Sequence, residues 1–513
     1  MKKNSIVRLV CLLLALLTLC VSVASCKKDN NPSQNTDDKT QEPSSDNGTG
    51  NDIPVDYREL LPTGDYGNED CWIFMPNLTE GDFYVDEKEE NPTEYQQAIA
   101  VRNRKVEDRL NVALMYKVEP THDISQYVKV CLNANTYNYD IMYSFSWFGL
   151  EAQGAFENLY NYSNIINFEN PYWVSSLNQM ATINNRLYGA YGYLTMSMVS
   201  SEQVIFYNGN IAKNVFEVDD QFYADVENKN WTLETMMDYM KMNSLQSGDG
   251  NPEWTFEDSY GLGYNLWSGR ALLWGAGLKL AEYADGDVNI LTRRPKNSDI
   301  FDKVYSFLQD NDCSWYKGND NNGYSVDWDT DYNLFIQERA LFEATTIGFA
   351  PRFSKEMKNY GVLPMPMLDK TQEDYITPMQ GVNNFSLFKA GTNNEKAAKV
   401  LEAMTIYSYC DVLPLYYEKQ LKLQYQTDRR AGAMLDFIRS KVNVDFMFMH
   451  SAHFESLANV PFELILAKDS NYEGDMAGRT DSLNKAKAKF LPTAFQQICG
   501  RKNKSKYAQF LRL

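Results

Sequence analysis

From Asn68 onward, short apolar runs alternate with segments of helical period. Cys71–Pro76 (CWIFMP) reads as a strand. It is followed by NPTEYQQAIAVRNRKVEDRL, where Ala98, Val101, Val106 and Leu110 recur near helical spacing. NVALMYKV reads as a strand, HDISQYVKVCLNAN as a helix and YDIMYSF as a strand. A β-α-β-α-β order predicts a largely parallel sheet with helices packed on it. Further along, RLYGAYG and QVIFYN read as strands. NWTLETMMDYMKM reads as a helix capped by Thr232, with Leu233, Met236, Met237 and Met240 on one face. This methionine stripe is read as core. YNLFIQERALF reads as a helix preceded by acidic residues that suit its N-terminal dipole.

The pattern before Asn68 is of another kind. After the charged start MKKNSIVR, an apolar run from Leu9 to Ala24 is too short for a membrane span, which needs ~20 residues. It matches the apolar core of a signal peptide, residues 1–25. Val23-Ala24-Ser25-Cys26 resembles a bacterial lipobox, so Cys26 is expected to carry lipid and to become the first residue of the mature chain. Lys27 to about Val55 holds no aromatic residue and is rich in Asn, Asp, Ser, Thr, Pro and Gly. Such a segment cannot bury enough surface to offset its ordering entropy, and residues 26–67 are expected to form a flexible tether.

Length and charge narrow the class. The 513 residues exceed one ordinary core, so two or three lobes are expected. There are 49 basic and 68 acidic residues, a net charge of −19; losing Lys2, Lys3 and Arg8 with the leader makes it −22. This balance argues against nucleic acid as a partner. Beyond Cys26, Cys71, Cys131, Cys313, Cys410 and Cys499 are widely spaced, with no C-x-x-C, so zinc spacing is absent and buried thiols are the plain reading.

Candidate catalytic chemistry is thin. Histidine occurs at His122, His450 and His453 alone. His450 and His453 could share a helix face as metal ligands, but their apolar neighbours (FMFMHSAHF) point to packing. Asp327, Asp329, Asp331 and Glu338 fall at calcium-loop spacing, yet Tyr332 stands where the loop's sharp turn needs glycine. Phosphate-loop, dinucleotide and G-x-S-x-G signatures are absent. Carboxylates are plentiful and no spacing singles out a glycosidase pair. No metal, cofactor or catalytic residue is assigned.

The aromatics carry more. Trp147 (SFSWFG), Tyr191 and Tyr193 (GAYGY), Trp267 and Trp274 (NLWSGRALLWG), and Phe349 with Arg352 (TTIGFAPRF) sit in predicted loops beside Gly or Ser. Flat rings so placed can stack on a sugar's apolar face while nearby polar groups hold its hydroxyls.

Taken in order, several stretches resemble the extracellular solute-binding proteins of ABC importers, in the carbohydrate-binding family that includes maltose-binding protein. The stretches are YDIMYSFSWFGLEAQGAFENLY, the segment ending in Tyr207-Asn208, NWTLETMMDYMKM, Tyr360 to Pro366 (YGVLPMP), MQGVNNFSLFKAGTNNEKAAKVLEAM and LANVPFEL. The likeness spans about Asn68 to Phe490. Two departures stand out. Glu338-Arg339 precede Ala340 where the family has glycine-lysine, and Phe349 replaces a cleft tryptophan.

The resemblance implies an α/β, two-lobed periplasmic-binding-protein-like fold (type II), with lobes joined by crossing hinge strands. It places one lobe at 68–146 plus 382–424 and the other at 147–381 plus 425–513. Trp147, Tyr193, Trp267, Trp274, Phe349 and Arg352 would stack on or bond the ligand, with Ser146 and Asn383 near the hinge. The implied function is capture of a saccharide and its delivery to an ABC permease by a monomeric, non-enzymatic receptor. Cys26 would anchor that receptor at the outer face of the cell membrane. A ligand-presenting sensor subunit and a secreted glycoside hydrolase remain the alternatives.

Overall fold

The computed structural model describes residues 55–496, apart from 77–80, 82, 85–90, 121–123, 135–138, 145–153, 216–220, 249, 310–311, 317–331, 380–381, 423–428 and 455. Cys26, Ser146, Trp147 and the acidic positions Asp327, Asp329 and Asp331 fall outside these, as does His122.

The first lobe is built as its pattern predicts. Strand β1 (Glu69–Pro76) leads to helix α1 (Glu94–Leu110), strand β2 (Val112–Glu119), helix α2 (Ser125–Ala134) and strand β3 (Ile141–Ser144). Thr93 and Gln96 form a reciprocal capping box at the start of α1, and Asn111 ends it in the left-handed region at φ 49°. β1 pairs parallel to both β2 and β3.

The chain stays with this sheet well past Trp147. Helix α3 (Ser175–Ala181) and the apolar residues Leu159, Trp173, Leu187 and Ala190 belong to the same core as Ile73 and Val106. A backbone bridge also joins Ala190 to Phe385. The expected lobe boundary at 147 is therefore too early. RLYGAYG, expected as a strand, makes only isolated bridges.

The second lobe holds β4 (Gln203–Asn208), α4 (Leu233–Asn243), β5 (Tyr260–Tyr264), α5 (Leu266–Gly275), the hairpin β6 (Ala281–Ala284) and β7 (Asp287–Ile290), and α6 (Pro295–Gln309). It continues with β8 (Ser314–Tyr316), β9 (Ala340–Thr346), α7 (Ala350–Glu356) and β10 (Tyr360–Pro364). Its sheet runs β10-β4-β9-β5-β8, with β4 antiparallel to its two neighbours. Thr232 caps α4 through the Thr235 N–H, and Leu233, Met236 and Met240 are buried in the core as expected, while Met237 is only partly buried at its edge. The helix expected at YNLFIQERALF is a single turn, Asn333–Ile336. Glu338 takes φ 61° and the chain enters β9 at once.

A short strand, β11 (Thr377–Pro378), precedes β12 (Asn384–Leu387), which returns to the first lobe antiparallel to β3. Helix α8 (Asn394–Tyr407) covers that sheet. Helix α9 (Arg429–Ser440), strand β13 (Val442–Asn443), helix α10 (Val460–Leu466) and helix α11 (Thr480–Gln496) continue the second lobe. Val412, Leu413, Tyr416 and Tyr417 already lie in the second core, so the last crossing falls before the expected 424. The folded body also begins earlier than the expected end of the tether at 67. Asp56 caps a short turn, Leu61 is buried in the first core, and Arg58 pairs with Asp411 at 2.5 Å. No helix among the described residues is long and apolar enough to cross a membrane.

Candidate ligand cleft

In open α/β sheets, ligands bind outside the carboxyl ends of the strands. In the first lobe, Pro76 and Ser144 end parallel strands, and Asn384 lies opposite Ser144. In the second, Thr346 ends β9 opposite Gln203, and Tyr264 ends β5 opposite Ala344. The three crossings between lobes connect at these same edges: 191–202 into β4, β10 through Met379 into β12, and α8 into α9. Glu202 and Met379 pair with each other, so the first two crossings form one antiparallel seam.

A buried arginine fastens this seam to the first lobe. Arg102 of α1 is 1% exposed. It donates to the Leu194 carbonyl and the Ser408 hydroxyl, both at 3.0 Å, and to the Phe83 carbonyl at 3.2 Å. Nearby, Asn383 donates to the Tyr143 hydroxyl at 2.6 Å. That hydroxyl shares a hydrogen bond with Thr195 at 2.8 Å, and Thr195 with Ser197 at 3.0 Å. Asn383 thus lies just ahead of β12, and its amide is engaged by the protein.

Tyr193 sits on the same seam. Its ring packs on Tyr409, and the Arg439 guanidinium lies 5.0 Å from its centroid and 4.7 Å from that of Tyr417. Opposite Arg439 is Glu202, whose carboxylate is fully buried and makes no hydrogen bond. Burial pushes this carboxyl up to about 8, with Arg439 pulling weakly the other way. Nothing in the sequence marks Glu202, one glutamate among many, as unusual.

The second lobe's wall is aromatic. Asn265 caps α5 directly at the end of β5, accepting from the Trp267 and Ser268 N–H groups at 2.9 and 3.1 Å. Leu266 and Trp267 are 38% and 36% exposed, whereas Ser268 through Gly275 are all buried. Two large apolar side chains are therefore presented at the carboxyl edge by a helix otherwise sunk in the core. Gly269 allows α5 to approach α10 closely, because a Cβ there would overlap the Phe462 ring. That approach brings Arg270 onto Asn459. Phe349 packs on Tyr332 with centroids 4.3 Å apart, and Arg352 lies 5.6 Å from the same ring. Gly348 abuts the Ser200 carbonyl, so the Phe349 turn rests against the first crossing.

Trp274 is placed elsewhere. It is 4% exposed, packs on Phe448, and lines a cavity of about 560 Å³ with Tyr283, Phe446 and Met180 at the far end of α5 from Trp267. Beside that cavity the Tyr283 hydroxyl donates to the Asn184 side chain at 3.0 Å, joining the hairpin of one lobe to the other. His450 is buried against Phe446 and Phe490, and burial lowers it to about 3. Among the described residues no His, Cys, Asp or Glu cluster could hold a metal ion. Cys71 is a buried free thiol, Cys313 is buried, and Cys410 is half-buried and free.

The fold is that of the two-lobed substrate-binding proteins of ABC transporters. An ABC substrate-binding protein from Listeria monocytogenes, solved in complex with cycloalternan, matches with a TM-score of 0.53 at 12% identity, over 82% of this chain and 99% of its own. The GacH receptor of Streptomyces glaucescens, solved unliganded and with acarbose, matches with a TM-score of 0.54 at 13% identity, over 82% and 99%. The maltose-binding periplasmic protein of Listeria monocytogenes, solved with maltose, matches with a TM-score of 0.51 at 14% identity, over 84% and 100%. No protein-family model and no curated protein matches the chain.

Proposed function

We propose that this protein is a saccharide receptor of an ABC importer, held by lipid on Cys26 at the outer face of the cell membrane. The observation that carries the reading is the pair Leu266 and Trp267, exposed at the carboxyl edge of the second sheet, the edge at which β4 begins. An apolar, flat surface at the ends of the strands suits a ligand with one apolar face. The solved neighbours carrying cycloalternan, acarbose and maltose support a saccharide as the ligand. Closure about the paired crossings would present the loaded form to the permease, and no bond need break.

The test is calorimetric titration of the soluble body (residues 56–513) against mono- and oligosaccharides, with reducing-sugar release followed in parallel. Binding without turnover is the expected result. Release abolished by replacing one carboxylate would make the protein a glycoside hydrolase instead. Membrane attachment is tested separately, by incorporation of labelled palmitate into the full-length chain and its loss in Cys26→Ser.

A further inference from the structure

Arg270 is 4% exposed, and its charge has no carboxylate in direct contact among the described residues. Its Nε donates to the Leu266 carbonyl at 3.3 Å, and its Nη1 donates to Asn459, a neutral amide. Nη2 makes no hydrogen bond to the described residues, and no ion pair among them includes Arg270. The acid that acts on it is Glu463 of α10, through space and without an ion-pair contact. Burial lowers the guanidinium to about 10, so it remains charged at neutral pH. A buried charge is normally matched by an opposite one, because its lost hydration is otherwise uncompensated. Here the described residues in direct contact supply only neutral oxygens, and Glu463 acts from a distance.

The position of this cation identifies what could complete it. Arg270 lies 4.3 Å from the ring of Trp267, the exposed side chain at the carboxyl edge of β5. Stacking on an aromatic face leaves the guanidinium's in-plane N–H groups free to meet an anion, and carboxylates fit that fork. The protein as a whole carries −19, so its general field repels anions and the attraction must come from the site itself.

We infer that the ligand is an acidic saccharide, whose anionic group pairs with Arg270 while a sugar ring stacks on Trp267. This rests on the saccharide-receptor reading and narrows it to sugars bearing a carboxylate or a sulfate. Trp267 supplies affinity for any ring, and Arg270 selects the charged one. A neutral saccharide would strip water from Arg270 without replacing it by an anion, and that loss gives the discrimination.

Calorimetric titration of the soluble body decides the matter with three matched probes: a tri-galacturonate, a sulfated chondroitin disaccharide and neutral maltotriose. One acidic probe should bind about 10- to 100-fold more tightly than maltotriose. That advantage should vanish in Arg270→Gln and survive in part in Arg270→Lys. Whichever acidic probe binds identifies the carboxylate or the sulfate as the recognised group. If Arg270→Gln fails to fold, the wild-type salt dependence serves in its place. Affinity for the acidic probe should then fall between 50 mM and 500 mM NaCl. Equal or tighter binding of maltotriose, or an acid preference untouched by Arg270→Gln or by salt, overturns the inference and leaves the receptor reading standing. Binding of none of the three, with none found across the wider sugar panel, overturns both.

Discussion

Replacing Glu202 with glutamine should stabilise the protein, and by an amount that grows with pH. The wild-type carboxyl is buried without a hydrogen-bond partner and is pushed from 4.5 to about 8. An acid raised in this way binds its proton more tightly when folded, so stability falls as pH climbs from the unfolded value toward the folded one. At pH 7 the span is about 2.5 units, which at ~1.36 kcal/mol per unit costs the wild type roughly 3 kcal/mol. At pH 5 the cost is under ~1 kcal/mol. Glutamine carries no proton to lose and keeps the shape. Thermal unfolding of the soluble body at half-unit steps from pH 5 to 9 reads the difference. E202Q should melt roughly 3 °C higher than wild type at pH 7, and almost together with it at pH 5. His450 and Glu402 titrate in both proteins, so the difference isolates position 202. A constant offset across the range would refute the reasoning. It would mean that the carboxylate is already ionised against Arg439.

The two tryptophans of α5 should separate cleanly. Trp267→Ala should weaken saccharide binding at least about tenfold with little loss of stability, because its ring is already partly in water. Trp274→Ala should cost about 3–5 kcal/mol in denaturant unfolding and leave affinity nearly intact once folded. Arg102→Met strips donors from the Leu194 and Phe83 carbonyls and should cost about 3 kcal/mol, read by chemical unfolding. Cys26→Ser should move the full-length protein from the membrane to the soluble fraction, seen by fractionation, with saccharide affinity unchanged.

Local periodicity carried the first lobe well, since β1 through β3 and their helices fall within a few residues of where the pattern puts them. It could not say which sheet residues 155–194 join. Their lobe is decided by Ala190 meeting Phe385, far along the chain. The same limit explains Trp267 and Trp274. Seven residues apart, they fall on nearly one face of a helix, so the pattern treats them alike. They differ by about 10 Å along the axis, which places one at the strand ends and the other in the far cavity. Glu202 and Arg270 were illegible for another reason. What distinguishes them is a missing partner, and that exists only once the chain has folded around them. YNLFIQERALF misled because its apolar spacing also fits a turn running straight into a buried strand.

The antiparallel strand β12 sets an order of assembly. It closes the first sheet against β3, and the Asn383–Tyr143 contact beside it joins residues 240 positions apart. Everything between must be synthesised before the first lobe can acquire its last strand and the covering helix α8. Closing so long a loop delays the contact that locks the sheet, whereas β1, β2 and β3 can pair early. A growing chain therefore holds an incomplete first lobe through most of its synthesis, with the edge of β3 open until β12 arrives. On the proposed export across a membrane, that late closure keeps the emerging chain pliable, and folding becomes final only when nearly the whole polypeptide is in hand.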